Sequence, residues 1–201
     1  MTAKETDTIR TFVAVELSDS IKAHIAADIA QLRQEQIDNM RLVRPEGVHL
    51  TLKFLGDIDA NRVPTVAEAM TQAAARHAPF SLALGQPGVF PNANRARVLW
   101  IGVEGDLQLL RLLQSDIEEA LVATGFPPEK QRFNPHLTIG RMHHRASRED
   151  RRRATEALAA LTLPEDRTIA VNAISLMKST LLPGGAIYDR IVHTELSHGR
   201  A

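Results

Sequence analysis

Apolar and polar positions along this chain change period several times in its first half, and the same series of changes then runs again. Val13-Ala14-Val15-Glu16 reads as a strand, and behind Ser18 or Asp19 as a cap Ile21, Ile25, Ile29 and Leu32 recur at helical spacing. His49-Leu50-Thr51-Leu52 alternates as a half-buried strand does; Val63, Val66, Ala67, Met70 and Ala74 return to the helical period, and Phe80-Ser81-Leu82-Ala83-Leu84 is again strand-like. The second half repeats the order. Ile101-Gly102-Val103-Glu104 is followed by Asp106 and the helical positions Leu110, Leu113, Ile117 and Leu121, with Gly125 as the stop. His136-Leu137-Thr138-Ile139 comes next, then Ser147 and Asp150 as a capping box for a helix carrying Ala154, Ala157, Leu158 and Leu161. Ile174-Ser175-Leu176-Met177 and Ile187-Tyr188-Asp189-Arg190-Ile191-Val192 close the series. The pattern predicts strand-helix-strand-helix-strand, twice, with pseudo-repeats over roughly 9–90 and 95–195 of one domain spanning 1–201.

The repeated tetrapeptide carries the candidate chemistry. In a strand, residues two apart share a face, so each copy presents an imidazole and a hydroxyl together while Leu50, Leu52, Leu137 and Ile139 point into the core. Imidazole exchanges a proton near neutral pH, and a threonine hydroxyl can donate to a phosphoryl or carbonyl oxygen. One copy would mean little, because half-buried strands are rich in threonine. Two copies at offsets from the preceding strand that differ by one residue suggest one acid and one base, His49 and His136, each with its hydroxyl, Thr51 and Thr138.

Composition narrows the setting. With 44% apolar residues the chain can bury a proper core, and no apolar stretch reaches membrane length. Met1-Thr2-Ala3-Lys4-Glu5-Thr6-Asp7 lacks a secretory hydrophobic segment, so a cytoplasmic location is expected. Lysine plus arginine and aspartate plus glutamate both number 24, so overall charge would not hold a polyanion, which must be met locally. Local cations exist. Arg41 and Arg44 precede the first motif, Lys53 continues its His49-Thr51 face, Arg95 and Arg97 lead into Val98, and Lys130, Arg132 and Arg141 bracket the second motif. Gly140 could form a bulge that turns Arg141 toward the cleft. The run Arg145, Arg148, Arg151, Arg152, Arg153 is interleaved with Glu149 and Asp150 and reads as a solvated helix face.

Rival chemistries fit less well. There is no cysteine for a thiolate nucleophile or thiolate metal site, no G-x-S-x-G elbow, and no GK[ST] after Gly184-Gly185. The motif histidines have hydroxyl rather than carboxylate companions, and His143-His144 stand apart from both motifs, so neither a metal nor another cofactor is expected. Metal-free acid-base work on a phosphoester remains. A module that only binds nucleotide or RNA ends in the same cleft is the alternative.

The two motifs in their settings resemble a known family. Arg10-Thr11-Phe12-Val13-Ala14-Val15-Glu16-Leu17, the block from Val48 to Gly56, Arg97 to Gly102, Phe133 to Arg141 and the late segment Ser179 to Tyr188 are similar to the two-histidine phosphoesterase superfamily. Within it they look like the RNA 2′,3′-cyclic phosphodiesterases, historically called 2′-5′ RNA ligases. The resemblance runs from about Arg10 to Ile191 and implies an α+β, bilobal, duplicated fold: two antiparallel-rich sheets flanking a central cleft, helices outside. It implies hydrolysis of RNA or oligonucleotide 2′,3′-cyclic phosphate ends, with small cyclic nucleotides as further substrates, to 2′-phosphates, and the reverse 2′-5′ ligation as a side reaction. His49 would be the proton donor and His136 the acceptor. Thr51, Thr138 and Arg141 would hold the phosphate, Phe54 would stack on a base unless it is a core residue, and Lys53 would add charge. Neither a membrane nor an obligate protein partner is implied.

Overall fold

A computed structural model describes residues 7–183 and 185–197; most of the N-terminal segment read for targeting, and Gly184, lie outside them. The chain runs β1 (Thr8–Glu16), α1 (Asp19–Gln34), β2 (Met40–Leu42), β3 (His49–Asp59), α2 (Val63–Ala74), β4 (Phe80–Phe90), β5 (Val98–Gly105), α3 (Leu107–Ala123), β6 (His136–Met142), α4 (Arg148–Ala159), β7 (Thr168–Val171), β8 (Ala173–Leu182) and β9 (Gly185–Glu195). The helix signals behave as their chemistry requires. Ser18 caps α1 by accepting the Ile21 N–H, and the Ser147–Asp150 box caps α4. Gly125, at φ +91°, follows α3 in a conformation that glycine adopts without strain. Asp106 precedes α3 without capping it through its side chain.

The strands form one curled antiparallel sheet in the order β7-β4-β5-β6-β3-β1-β8-β9, with β2 on the free side of β6. Its two wings meet at a single register pair, Leu50 opposite Leu137. Beyond that bridge β3 and β6 part, and a cleft opens between the wings. The wings are not the two halves of the chain. β1 pairs with β3 and β5 with β6 within each half, but β8 of the second half pairs with β1 of the first, and β4 of the first half pairs with β5 of the second.

Helical apolar stripes pack against the sheet. Ile21, Ile25, Ile29 and Leu32 of α1 and Leu110, Leu113, Ile117 and Leu121 of α3 are all buried, in one core with Leu50, Leu52, Leu137 and Ile139. Among the described residues no helix is long and apolar enough to cross a membrane.

Candidate active site

The site is built from the parity of β3 and β6. Leu50 and Leu137 are fully buried, which turns His49, Thr51, His136 and Thr138 to the opposite, cleft-facing side. Because the strands are antiparallel about the Leu50–Leu137 pair, His49 lies toward the Thr138 end of that bridge and Thr51 toward the His136 end. The two pairs are related by a local two-fold through that bridge.

Each strand then bulges at the same place. Val13 faces Lys53 but Ala14 faces Thr51, so Leu52 is an extra residue; Leu99 faces Gly140 but Trp100 faces Thr138, so Ile139 is extra. Two consecutive buried residues follow each threonine, after which the next residue faces outward. That residue is Phe54 in β3 and Arg141 in β6. Gly140 permits the arrangement, since a Cβ there would lie 3.1 Å from the Leu42 side chain of β2.

Phe54 is 62% exposed, with its ring 6.0 Å from that of Phe12, so it is no core residue. Lys53 is the correction. The bulge that brings Phe54 out turns Lys53 in, where it is 4% exposed and donates to Glu118 Oε2 at 2.7 Å and to the Pro127 carbonyl at 3.1 Å. A buried ammonium needs such partners, and this one ties β3 to α3 and to the loop that leads to His136. It does not continue the His49-Thr51 face. Of the other cations, Arg41 stands in register with Arg141 and donates to the Pro183 carbonyl at the β8–β9 turn. In the basic run Arg152 is held by Glu149 and Glu156, as a solvated face would be.

Both imidazoles are oriented alike. His49 Nδ1 lies 2.7 Å from the Gly47 carbonyl and His136 Nδ1 2.8 Å from that of Asn134. A carbonyl can only accept, so each Nδ1 carries a proton and each Nε2 is left for chemistry. Aromatic rings fix the planes. Phe12 stacks on His49 at 4.4 Å and Tyr188 meets it edge-on at 4.9 Å, while Phe90 meets His136 edge-on at 5.0 Å. These neighbours were invisible as site residues in the sequence, because strand pairing brings them in.

The surroundings of His49 act on its proton affinity. Burial pulls the His49 imidazolium down to about 4; the Gly47 carbonyl and Glu16 oppose that, and His136 and Lys22 add to it. A cavity of about 210 Å³ opens beside His49, with Glu16, Lys22, Glu46, Tyr188 and Arg190 in its wall. Among the described residues no three His, Cys, Asp or Glu side chains gather as metal ligands would. The arrangement can hold a small anion between two hydroxyls and offer it an imidazole on either side.

Comparison with known proteins agrees in extent. The family model described as the 2′-5′ RNA ligase superfamily matches residues 21–181. The RNA 2′,3′-cyclic phosphodiesterase of Methanothermobacter thermautotrophicus is 31% identical over 180 residues, covering 90% of this chain and 95% of that protein. The crystal structure of TT0787 of Thermus thermophilus superposes with a TM-score of 0.73 at 26% identity, over 96% of this chain and 100% of that one. Escherichia coli LigT complexed with 3′-AMP gives 0.74 at 22% identity, over 96% of this chain and 100% of that one, a likeness of fold.

Proposed function

The chain belongs to the 2′-5′ RNA ligase superfamily and is a cyclic phosphodiester hydrolase, and we propose that His49 and His136 carry that hydrolysis as acid and base on RNA 2′,3′-cyclic phosphate ends. His136 Nε2 takes a proton from water as its oxygen attacks phosphorus. The P–O3′ bond breaks on the opposite side, and His49 Nε2–H protonates the departing oxygen. The 2′-phosphate remains on the ribose. The Thr51 and Thr138 hydroxyls donate to the nonbridging oxygens, where charge builds in the transition state, and Arg141 adds a fixed positive charge. Phe54, exposed beside the cleft, offers a face for a base. Small 2′,3′-cyclic nucleotides carry the same reacting group, and 2′-5′ ligation is the reverse of the same steps.

The observation that carries this reading is the two-fold about Leu50 and Leu137, with both Nδ1 atoms occupied by carbonyls two residues back. Acid and base must stand on opposite sides of phosphorus, and two parted strands provide two sides. Before substrate binds His49 is neutral at pH 7, since burial holds it near 4. A bound phosphodiester anion raises its proton affinity, so the acid is charged when substrate arrives.

The test is turnover of a 2′,3′-cyclic-phosphate oligonucleotide in excess EDTA, with the product followed by phosphorus NMR. A 2′-phosphate formed at an undiminished rate is expected. Activity abolished by EDTA and restored by zinc or manganese would overturn the metal-free mechanism.

A further inference from the structure

His49 and His136 are near copies in strand, tautomer and companion hydroxyl, yet the hydrolysis needs one to hold a proton and the other to lack it. The neighbouring strands differ at one place. Across from His49 in the register of β1 stands Glu16; across from His136 in the register of β5 stands Gly102. Antiparallel partners in register show their side chains on the same face, so His49 has a carboxylate beside it and His136 has none. The repeat suggested by sequence paired Glu16 with Glu104, but Glu104 lies two residues farther along β5, 3.5 Å from Arg167.

The difference is built in on both sides. A Cβ at Gly102 would come within 2.7 Å of the Gln86 backbone carbonyl, at the irregularity where β4 passes from Gly85 to Pro87, so no side chain fits there. Glu16 is held in place. Its Oε1 accepts from the Ser175 hydroxyl at 2.6 Å and from Arg190 at 3.2 Å, and His193 Nδ1 lies 3.2 Å behind Ser175 Oγ. Ser175 is buried, and Glu16 and His49 share the wall of one cavity.

Resting on the acid-base reading above, we propose that Glu16 is the positioning residue that makes His49, and not His136, the acid. Once substrate is bound, its negative charge favours the proton on His49 until the leaving oxygen takes it. The other charged or titratable groups facing His49 are Lys22 of α1, Glu46 of the turn before β3, Tyr188 and Arg190 of β9, and His136 across the cleft. Lys22 and His136 oppose a proton on His49. Ser175, His193 and Arg190 hold the carboxylate that favours one.

Glu16→Gln removes the charge and keeps the shape; Glu16→Asp keeps the charge. The first measurement is the titration of each imidazole by nitrogen NMR in the folded protein. His49 should titrate at lower pH in Glu16→Gln and near its wild-type position in Glu16→Asp, with His136 unmoved in both. The second is kcat against pH, which reports the proton affinities of the enzyme with substrate bound. An acid that loses its proton too easily costs activity at neutral and alkaline pH, so the Glu16→Gln deficit should be about tenfold or more at pH 8 and shrink as pH falls. A deficit equal at every pH, or an unmoved His49 titration in a folded Glu16→Gln protein, would overturn the proposal. Parity at high pH with a gain at low pH would make His49 the base and overturn it as well. His49→Ala is assayed alongside. If that variant keeps its activity the acid-base reading itself fails, whereas an inactive His49→Ala beside an unaffected Glu16→Gln refutes the role of Glu16 alone.

Discussion

At the residue scale the histidines and their hydroxyls are separable by kinetics. His49→Ala and His136→Ala should each lower kcat by on the order of 10²- to 10⁴-fold, and the double variant by less than the product, because the two act as a unit. Thr51→Val and Thr138→Val each remove a hydrogen bond to charged oxygen worth roughly 1.5–3 kcal/mol, about ten- to a hundredfold, falling mainly on kcat. Arg141→Lys should recover only part of what Arg141→Ala loses, since the planar fork is gone. His49 also leaves a mark on stability. Its proton affinity in the folded chain corresponds to about 4 against 6.5 for the free side chain. The unfolded chain therefore binds the proton first as pH falls. Stability is unaffected above about 6.5 and declines toward 4, by up to roughly 3 kcal/mol from this group. Urea midpoints of wild type and His49→Gln, compared at pH 7 and pH 4.5, should show a smaller acid loss in the variant.

At the scale of elements the paired bulges matter most. In β3 the bulge exchanges the faces of Lys53 and Phe54, and in β6 the equivalent bulge brings Arg141 out. Lys53→Met should cost roughly 3 kcal/mol, low for a broken buried pair because Glu118 keeps some contact with solvent. It should leave the salt dependence of KM unchanged. Arg141→Ala should do the reverse, with stability kept and the salt dependence of KM weakened. Equal salt responses in the two variants would return Lys53 to the substrate path. Alternation alone places Lys53 with His49 and Thr51; which residue a strand treats as extra is decided by its neighbours.

At the scale of the whole molecule the pairing of β4 with β5 and of β8 with β1 joins the two halves of the chain. Residues 7–95 alone would leave β4 without β5 and β1 without β8, and residues 96–197 would leave the complementary edges bare. Each fragment should be unfolded or aggregated when expressed alone, and the full chain should melt in one transition by circular dichroism and by fluorescence. Independent folding of either fragment would show that its edge strands are dispensable.

Periodicity by itself determined helices α1 to α4 and the longer strands, among them the two H-x-T strands, because burial on one face of a helix or strand is a local property of spacing; the short β2 and β7 were not legible, and Leu161, read as helical, lies past the end of α4. Two near-identical tetrapeptides in equivalent settings likewise determined the pair of histidines. Pairing was decided only in the tertiary structure. That Leu50 meets Leu137, that Glu16 and Gly102 stand beside the two histidines, that Lys53 is sequestered by Glu118, and that the two halves of the chain trade strands all depend on register between segments far apart in the chain. A period of two says which face a side chain takes within its own strand. It carries no information about which residue of another strand lies opposite, and the electrostatics of this cleft are set there.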